Sequence, residues 1–151
     1  MKPTPPGWPR ISASVFYDDP RAAIDWLCRA FGFEVRLKIE GDQGAIVHSE
    51  LTFGDGLVMV GAASGHEPWQ KLHRSPRSID GGVTQALALH IDDVDAHHAR
   101  AVQAGATIVR EPRTDDYGDD YWSDRTYGAL DPEGHLWWFM QRMRGPRARS
   151  Q

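Results

Sequence analysis

The chain writes one pattern of apolar and polar positions twice. Ile11-Ser-Ala-Ser-Val-Phe-Tyr17 alternates with the period of two that a strand with two unlike faces requires, and Gln85-Ala-Leu-Ala-Leu-His-Ile91 does so again. Each run ends in paired aspartates, Asp18-Asp19 and Asp92-Asp93, placed where a helix N-cap must accept from orphan backbone N–H groups. The period then changes: Ala23, Ile24, Leu27, Cys28 and Phe31 recur at helical spacing, and Val94, Ala101, Val102 and Ala104 do so more weakly. Gly32 and Gly105 follow, where a helix end favours a left-handed residue. Each half closes with short strands about a turn, Gly54-Asp55-Gly56 in the first and Asp131-Pro132-Glu133-Gly134 in the second.

The pattern predicts β1 over 11–17, α1 over 20–31, β2 over 33–40, β3 over 45–53 and β4 over 57–62. The second half gives β5 over 84–91, α2 over 93–104, β6 over 106–110, β7 over 126–130 and β8 over 135–141. The fold class is therefore α+β, two tandem βαβββ modules (11–62 and 83–142) with helices on the outer face of mixed sheets. An extended Pro-rich arm, 1–10, precedes them, and a basic tail, 143–151, follows; the arginines from Arg142 onward read as solvated. Ser64 to Gly82 and Glu111 to Arg125 stand outside the repeat as insertions, where binding residues tend to sit.

Composition narrows the classes. In 151 residues, 40% hydrophobic and 25% charged, the chain has the profile of a globular protein, and a net charge of −4 offers no general affinity for nucleic acid or acidic membranes. No apolar run approaches a membrane span, and the N-terminus lacks the apolar stretch of a signal peptide. The single cysteine, Cys28, fits a cytoplasmic, reducing setting and reads as core filler.

The ordered set His48-Ser-Glu-Leu-Thr-Phe-Gly-Asp-Gly56, Ile91-Asp-Asp-Val-Asp-Ala96 and Asp131-Pro-Glu-Gly-His-Leu-Trp137 resembles the glyoxalase/bleomycin resistance/extradiol dioxygenase (vicinal oxygen chelate) superfamily, and is most similar to its PhnB-like, glyoxalase-like branch. The resemblance covers roughly residues 10 to 142. It implies a cup-shaped sheet, a homodimer, and either a divalent metal with its substrate or a metal-free ligand in the cup. Family enzymes draw one metal ligand from the first and one from the last strand of each module. The matching positions hold Ser12, Met59 or Val60, Ala86 (with Gln85 beside it) and Trp138. Such side chains do not hold a hard or borderline cation, so no metal and no cofactor is expected.

Strand parity assigns the remaining candidates. His48 and Glu50 share one face of β3, with Val47, Leu51 and Phe53 on the helix side; His90 shares the face of Ala86 and Ala88, and Phe16 that of Ser12 and Ser14. Trp138 is expected on the concave side and Trp137 against a helix. Trp122, Arg125 and Tyr127 belong to an aromatic, acidic segment leading into β7; such a patch suits a flat or cationic organic molecule, with Arg125 available to clamp a carboxylate or phosphate. His97-His98 reads as a solvent-face pair on α2, His135 as structural.

Three functional readings follow. The first is a metal-independent binding protein that sequesters an aromatic or cationic compound through Ser12, Ser14, Phe16, His48, Glu50, His90, Trp122, Arg125, Tyr127 and Trp138. The second is a lyase or isomerase using Glu50 as general base, its pKa tuned towards neutrality, with His48 or His90 assisting. The third is a regulatory or structural dimer whose cup is filled by its own aromatics. The partners expected are a small organic ligand and a second copy of the chain.

Overall fold

Alternation and capping build the first half as the residues dictate. The computed structural model describes residues 1–147, which divide into two units, one of residues 1–81 and one that begins at Gly82. In the first unit, Val15 and Tyr17 of β1 (Ala13–Tyr17) are buried while Ser14 is exposed, the two-faced strand that the alternation requires. Asp19 caps α1 (Pro20–Phe31) by accepting from the Ala22 N–H at 3.0 Å, and Gly32, at φ 83°, closes it with an N–H to the Cys28 carbonyl. The helix buries Ala23, Ile24, Trp26, Leu27, Ala30 and Phe31. Cys28, expected in the core, is only half-buried, whereas Trp26 is buried and lies edge-on to Phe31 at 4.8 Å.

β2 (Glu34–Glu40), β3 (Ile46–Phe53) and β4 (Gly56–Ala62) complete a sheet of order β1-β4-β3-β2, in which only β1 and β4 run parallel. α1 packs on β1, β3 and β4, and Leu51, Val58 and Val60 meet it there. Two register shifts interrupt the β2–β3 pairing, at Val35/Leu37 and at Ile39/Glu40. Val47 falls at the second. Expected on the helix side, it is 68% exposed instead, because strand parity cannot be counted through a bulge.

The second unit repeats the plan with β5 (Ala86–His90), α2 (Val94–Gln103), β6 (Thr107–Asp116), β7 (Ser123–Leu130) and β8 (Leu136–Arg144) in the order β5-β8-β7-β6. Asp93 caps α2 through the Ala96 N–H. Each unit is thus one βαβββ module, and the tandem α+β fold predicted from the repeat is what the chain adopts. Trp137, Phe139, Tyr127 and Ala129 form the core against Val94 and Ala101. No helix among the described residues is long and apolar enough to cross a membrane.

The largest departure lies between β6 and β7. Instead of an insertion over 111–125, the two strands run on into a long hairpin, leaving only 117–122 as its tip. Charge pairs hold its outer end: Asp115 takes Arg110 and Arg113, Arg142 reaches Asp124, and Arg144 Nη2 lies 2.6 Å from Asp116 Oδ1. Pro112, with no N–H to give a ladder, sits on this edge strand inside a register shift. β8 likewise continues to Arg144, so Arg142 and Arg144, read as the start of a solvated tail, are strand residues with acidic partners. Arg147 pairs with Asp119; Arg149 lies outside the described residues.

Candidate functional site

In the first unit the candidates cluster on the sheet face turned away from α1. His48 Nε2 donates to Glu50 Oε1 at 2.9 Å, and Arg36 Nε donates to Glu50 Oε2 at 2.7 Å. Arg36 reaches Glu50 because the β2 bulge at Val35/Leu37 leaves it outside the regular pairing. The guanidinium also lies 4.8 Å from the Trp8 ring centroid and donates to the Gly7 carbonyl, which ties the N-terminal arm to this face. Glu50 is buried, yet it is not a poised base. The hydrogen bond from His48 holds its carboxyl below the ordinary value of 4.5, and Arg36 adds to this against burial, which pushes it up. A pKa tuned towards neutrality, expected from the sequence, is therefore not found.

A lowered folded pKa stabilises the fold above the ordinary carboxylate range, and that contribution is lost as pH falls through the folded value. Glu50→Gln is expected to flatten the acid limb of a stability-against-pH curve between about pH 5 and pH 3 relative to the parent chain. Urea denaturation at each pH measures it; superimposable acid limbs would remove Glu50 from the explanation.

On the same sheet, Ser12 is half-buried just before β1, Ser14 pairs with Met59, and the Phe16 ring lies over Gly61. The outer face of Phe16 is already taken. His73, from the 64–82 segment, stacks on it at 3.6 Å between centroids and 15° between planes, and Trp69 meets His73 edge-on. Nothing local in the sequence links His73 to Phe16.

In the second unit, Trp138 is the centre of the face turned away from α2. It pairs with Gly128 on one side and Ala88 on the other, and a Cβ at Gly128 would stand 2.7 Å from the indole, so the ring rests directly on β7 backbone. His90 is exposed beside Met140 on the same face, and so is Arg142, whose guanidinium sits 5.0 Å from the Trp122 ring centroid. Thr126 and Asp124 share this face by parity with Gly128.

Arg125 and Tyr127 do not. β7 begins at Ser123, and its register sets Gly128 opposite Trp138, so the odd-numbered residues turn towards α2. Arg125 holds both carboxylate oxygens of Asp95, at 2.7 to 3.1 Å. Tyr127 is fully buried, its hydroxyl 2.6 Å from His97 Nδ1 and its ring stacked on Phe139 at 5.0 Å; burial pushes the phenol well above its ordinary value. Neither side chain lies on the Trp138 face. The same packing corrects His97-His98: both are half-buried against Tyr127, His97 also on Phe139, and His98 Nε2 lies 3.0 Å from Glu111.

The metal expected of the family can be tested against donor chemistry. Met59 faces away from α1 beside Ser14, Ala86 is exposed on β5, Trp138 rests on Gly128, and Val60 is buried. A thioether, a methyl group, an indole and the hydroxyl of Ser12 do not make a site for a hard or borderline divalent ion. Gln85 accepts from Thr84, and both Glu50 oxygens are engaged. Among the described residues no group of three or more His, Cys, Asp or Glu is arranged to hold an ion. The side chains present do not fit the group.

The model of the Glyoxalase/Bleomycin resistance protein/Dioxygenase superfamily matches residues 11–139, and the chain belongs to that superfamily. It is 32% identical over 136 residues to the uncharacterized protein Mb0911c of Mycobacterium bovis, across 90% of this chain and 85% of that one. Among solved structures, TioX from Micromonospora sp. ML1 is similar at 33% identity and a TM-score of 0.66, over 94% of this chain and 100% of that chain. TnmS3, an antibiotic binding protein from Streptomyces sp. CB03234, shares the fold at 20% identity and a TM-score of 0.60, over 87% of this chain and 93% of that one.

Proposed function

We propose that this chain is a metal-independent binding protein of the bleomycin-resistance kind, which captures an aromatic organic molecule at the Trp138 face of its second unit. The observation that carries the reading is the indole of Trp138. It is held flat against Gly128, and no other ring among the described residues stacks on it. Phe16, the comparable ring of the first unit, is capped by His73. A supported aromatic face without a ring partner suits a planar molecule, which stacks at a favourable offset while burying apolar area. The donor chemistry at the four family positions supports the metal-independent part. TnmS3, described as an antibiotic binding protein, has the same fold, and one scaffold of this kind hosts both binders and enzymes.

The enzyme reading, with Glu50 as base and His48 or His90 assisting, has less support, since Glu50 is held ionised by two partners that would have to release it. A homodimer working in the cytoplasm belongs to the proposal. The half-exposed apolar side chains Val35, Leu37 and Ile39 on edge strand β2 support self-association, and the lone Cys28 suits a reducing compartment.

The test is a titration of tryptophan fluorescence with a panel of planar aromatics of two to four fused rings, repeated on Trp138→Ala. Binding by at least one panel member is expected, with affinity lowered about tenfold or more in the variant. A flat response across the whole panel, or a variant that binds as the parent does, rejects the reading.

A further inference from the structure

One buried polar group on the Trp138 face has nothing to bond. Thr126 is 7% exposed, and its Oγ1 finds no hydrogen-bond partner among the described residues. It lies on β7 two residues before Gly128, between Arg113 on β6 and Met140 on β8. Parity turns it to the side of the sheet that carries Trp138. A hydroxyl left unsatisfied in a protein interior destabilises the fold that contains it, so a partner from outside would be favourable there.

The charged neighbours are already matched. Arg142 is paired with Asp124, and Arg110 and Arg113 share Asp115. Thr126 is thus a buried, neutral and unspent polar group beside the indole, whereas His90 on the same face is exposed. Positions two apart on a strand are separated by about 7 Å, roughly the length of a two-ring aromatic. A planar ligand stacked on Trp138 over Gly128 would bring one edge to Thr126.

We infer that Thr126 is the polar anchor of the Trp138 site, and that the site takes a neutral planar aromatic bearing a hydroxyl or carbonyl group on the edge that meets Thr126. This rests on the capture reading above and deepens it, naming the ligand class and a residue that the aromatic pattern of the sequence did not single out. The hydroxyl both donates and accepts, so either substituent satisfies it. A cationic compound is not selected, because every carboxylate named on this face already holds an arginine.

The experiment is equilibrium dialysis of the full chain with two near-isosteric probes, 2-naphthol and 2-methylnaphthalene. The parent chain is expected to bind 2-naphthol about 5- to 10-fold more tightly, the worth of one neutral hydrogen bond. Thr126→Val should erase that preference while leaving 2-methylnaphthalene affinity unchanged, and Thr126→Ser should keep it. The ligand-free Thr126→Val protein should also melt a few degrees higher, since an unsatisfied buried hydroxyl has gone. A merely structural threonine would give a lower melting temperature instead. Equal binding of the two probes by the parent, or a preference that survives in Thr126→Val, overturns the anchor while leaving capture standing. Failure of both probes to bind overturns the anchor and capture together.

Discussion

Asp131→Ala is expected to lower folding stability by about 3 kcal/mol, although the residue is not one of those proposed to bind the ligand. Its carboxylate is buried and organises the turn before β8. Oδ1 accepts from the backbone N–H groups of Glu133, Gly134 and His135 at 3.0 to 3.1 Å, and Oδ2 accepts from Trp137 Nε1 at 3.0 Å. Removal strands several donors at once, and one of them is the indole of the largest fully buried side chain. Asp131→Asn provides the internal control. It keeps an acceptor for the three backbone groups but presents an amide N–H to the indole, so it should recover about half of the loss. Chemical denaturation of the three proteins measures both steps. A loss below about 0.5 kcal/mol for the alanine variant would mean that water replaces the carboxylate and that the turn does not depend on it.

That turn also marks how far the sequence carried the fold. Signals confined to a few neighbouring residues read correctly: the strand alternation, the Asp19 and Asp93 caps, the left-handed Gly32 and Gly105, and the Asp-Pro-Glu-Gly reversal. All of them report backbone preferences that do not depend on the partner strand. What escaped was set by pairing across the chain. The β6–β7 hairpin looked like a loop because its outer half is held by arginine–carboxylate pairs, with little apolar burial to signal a strand. Arg125 and Tyr127, grouped in the sequence with the segment leading into β7, turn towards α2, which only the register of β7 against Trp138 reveals. Arg36 and His73 were missed for a related reason. A bulge brings one to Glu50, and a long segment brings the other onto Phe16. Trp138 was legible as a ring away from the helix. Gly128 beneath it and Thr126 beside it were not, although a small residue opposite a large aromatic is a signal that the register, once known, makes visible.

Gly128→Val is expected to abolish aromatic capture and to cost about 1–3 kcal/mol of stability. The backbone of Gly128 is not in the left-handed region, and a β-branched residue suits a strand, so the change introduces no conformational penalty of its own. What it introduces is a collision. Ring carbons of Trp138 lie 2.7, 2.9 and 3.0 Å from where a Cβ would stand, closer than carbon atoms pack. The indole must swing off the sheet, losing its support and its flat presentation together. Two measurements separate this account from general damage. Tryptophan emission should shift as the ring leaves its seat, with Gly128→Ala giving a smaller shift in the same direction. The stability cost should largely disappear when Gly128→Val is made in a Trp138→Ala background, because the clash then has no second party; a double-mutant cycle reads that coupling. If the penalty persists without the indole, Gly128 is needed by the backbone and not by the ring. If Gly128→Val still binds planar aromatics as the parent does, Trp138 is not the surface on which they stack.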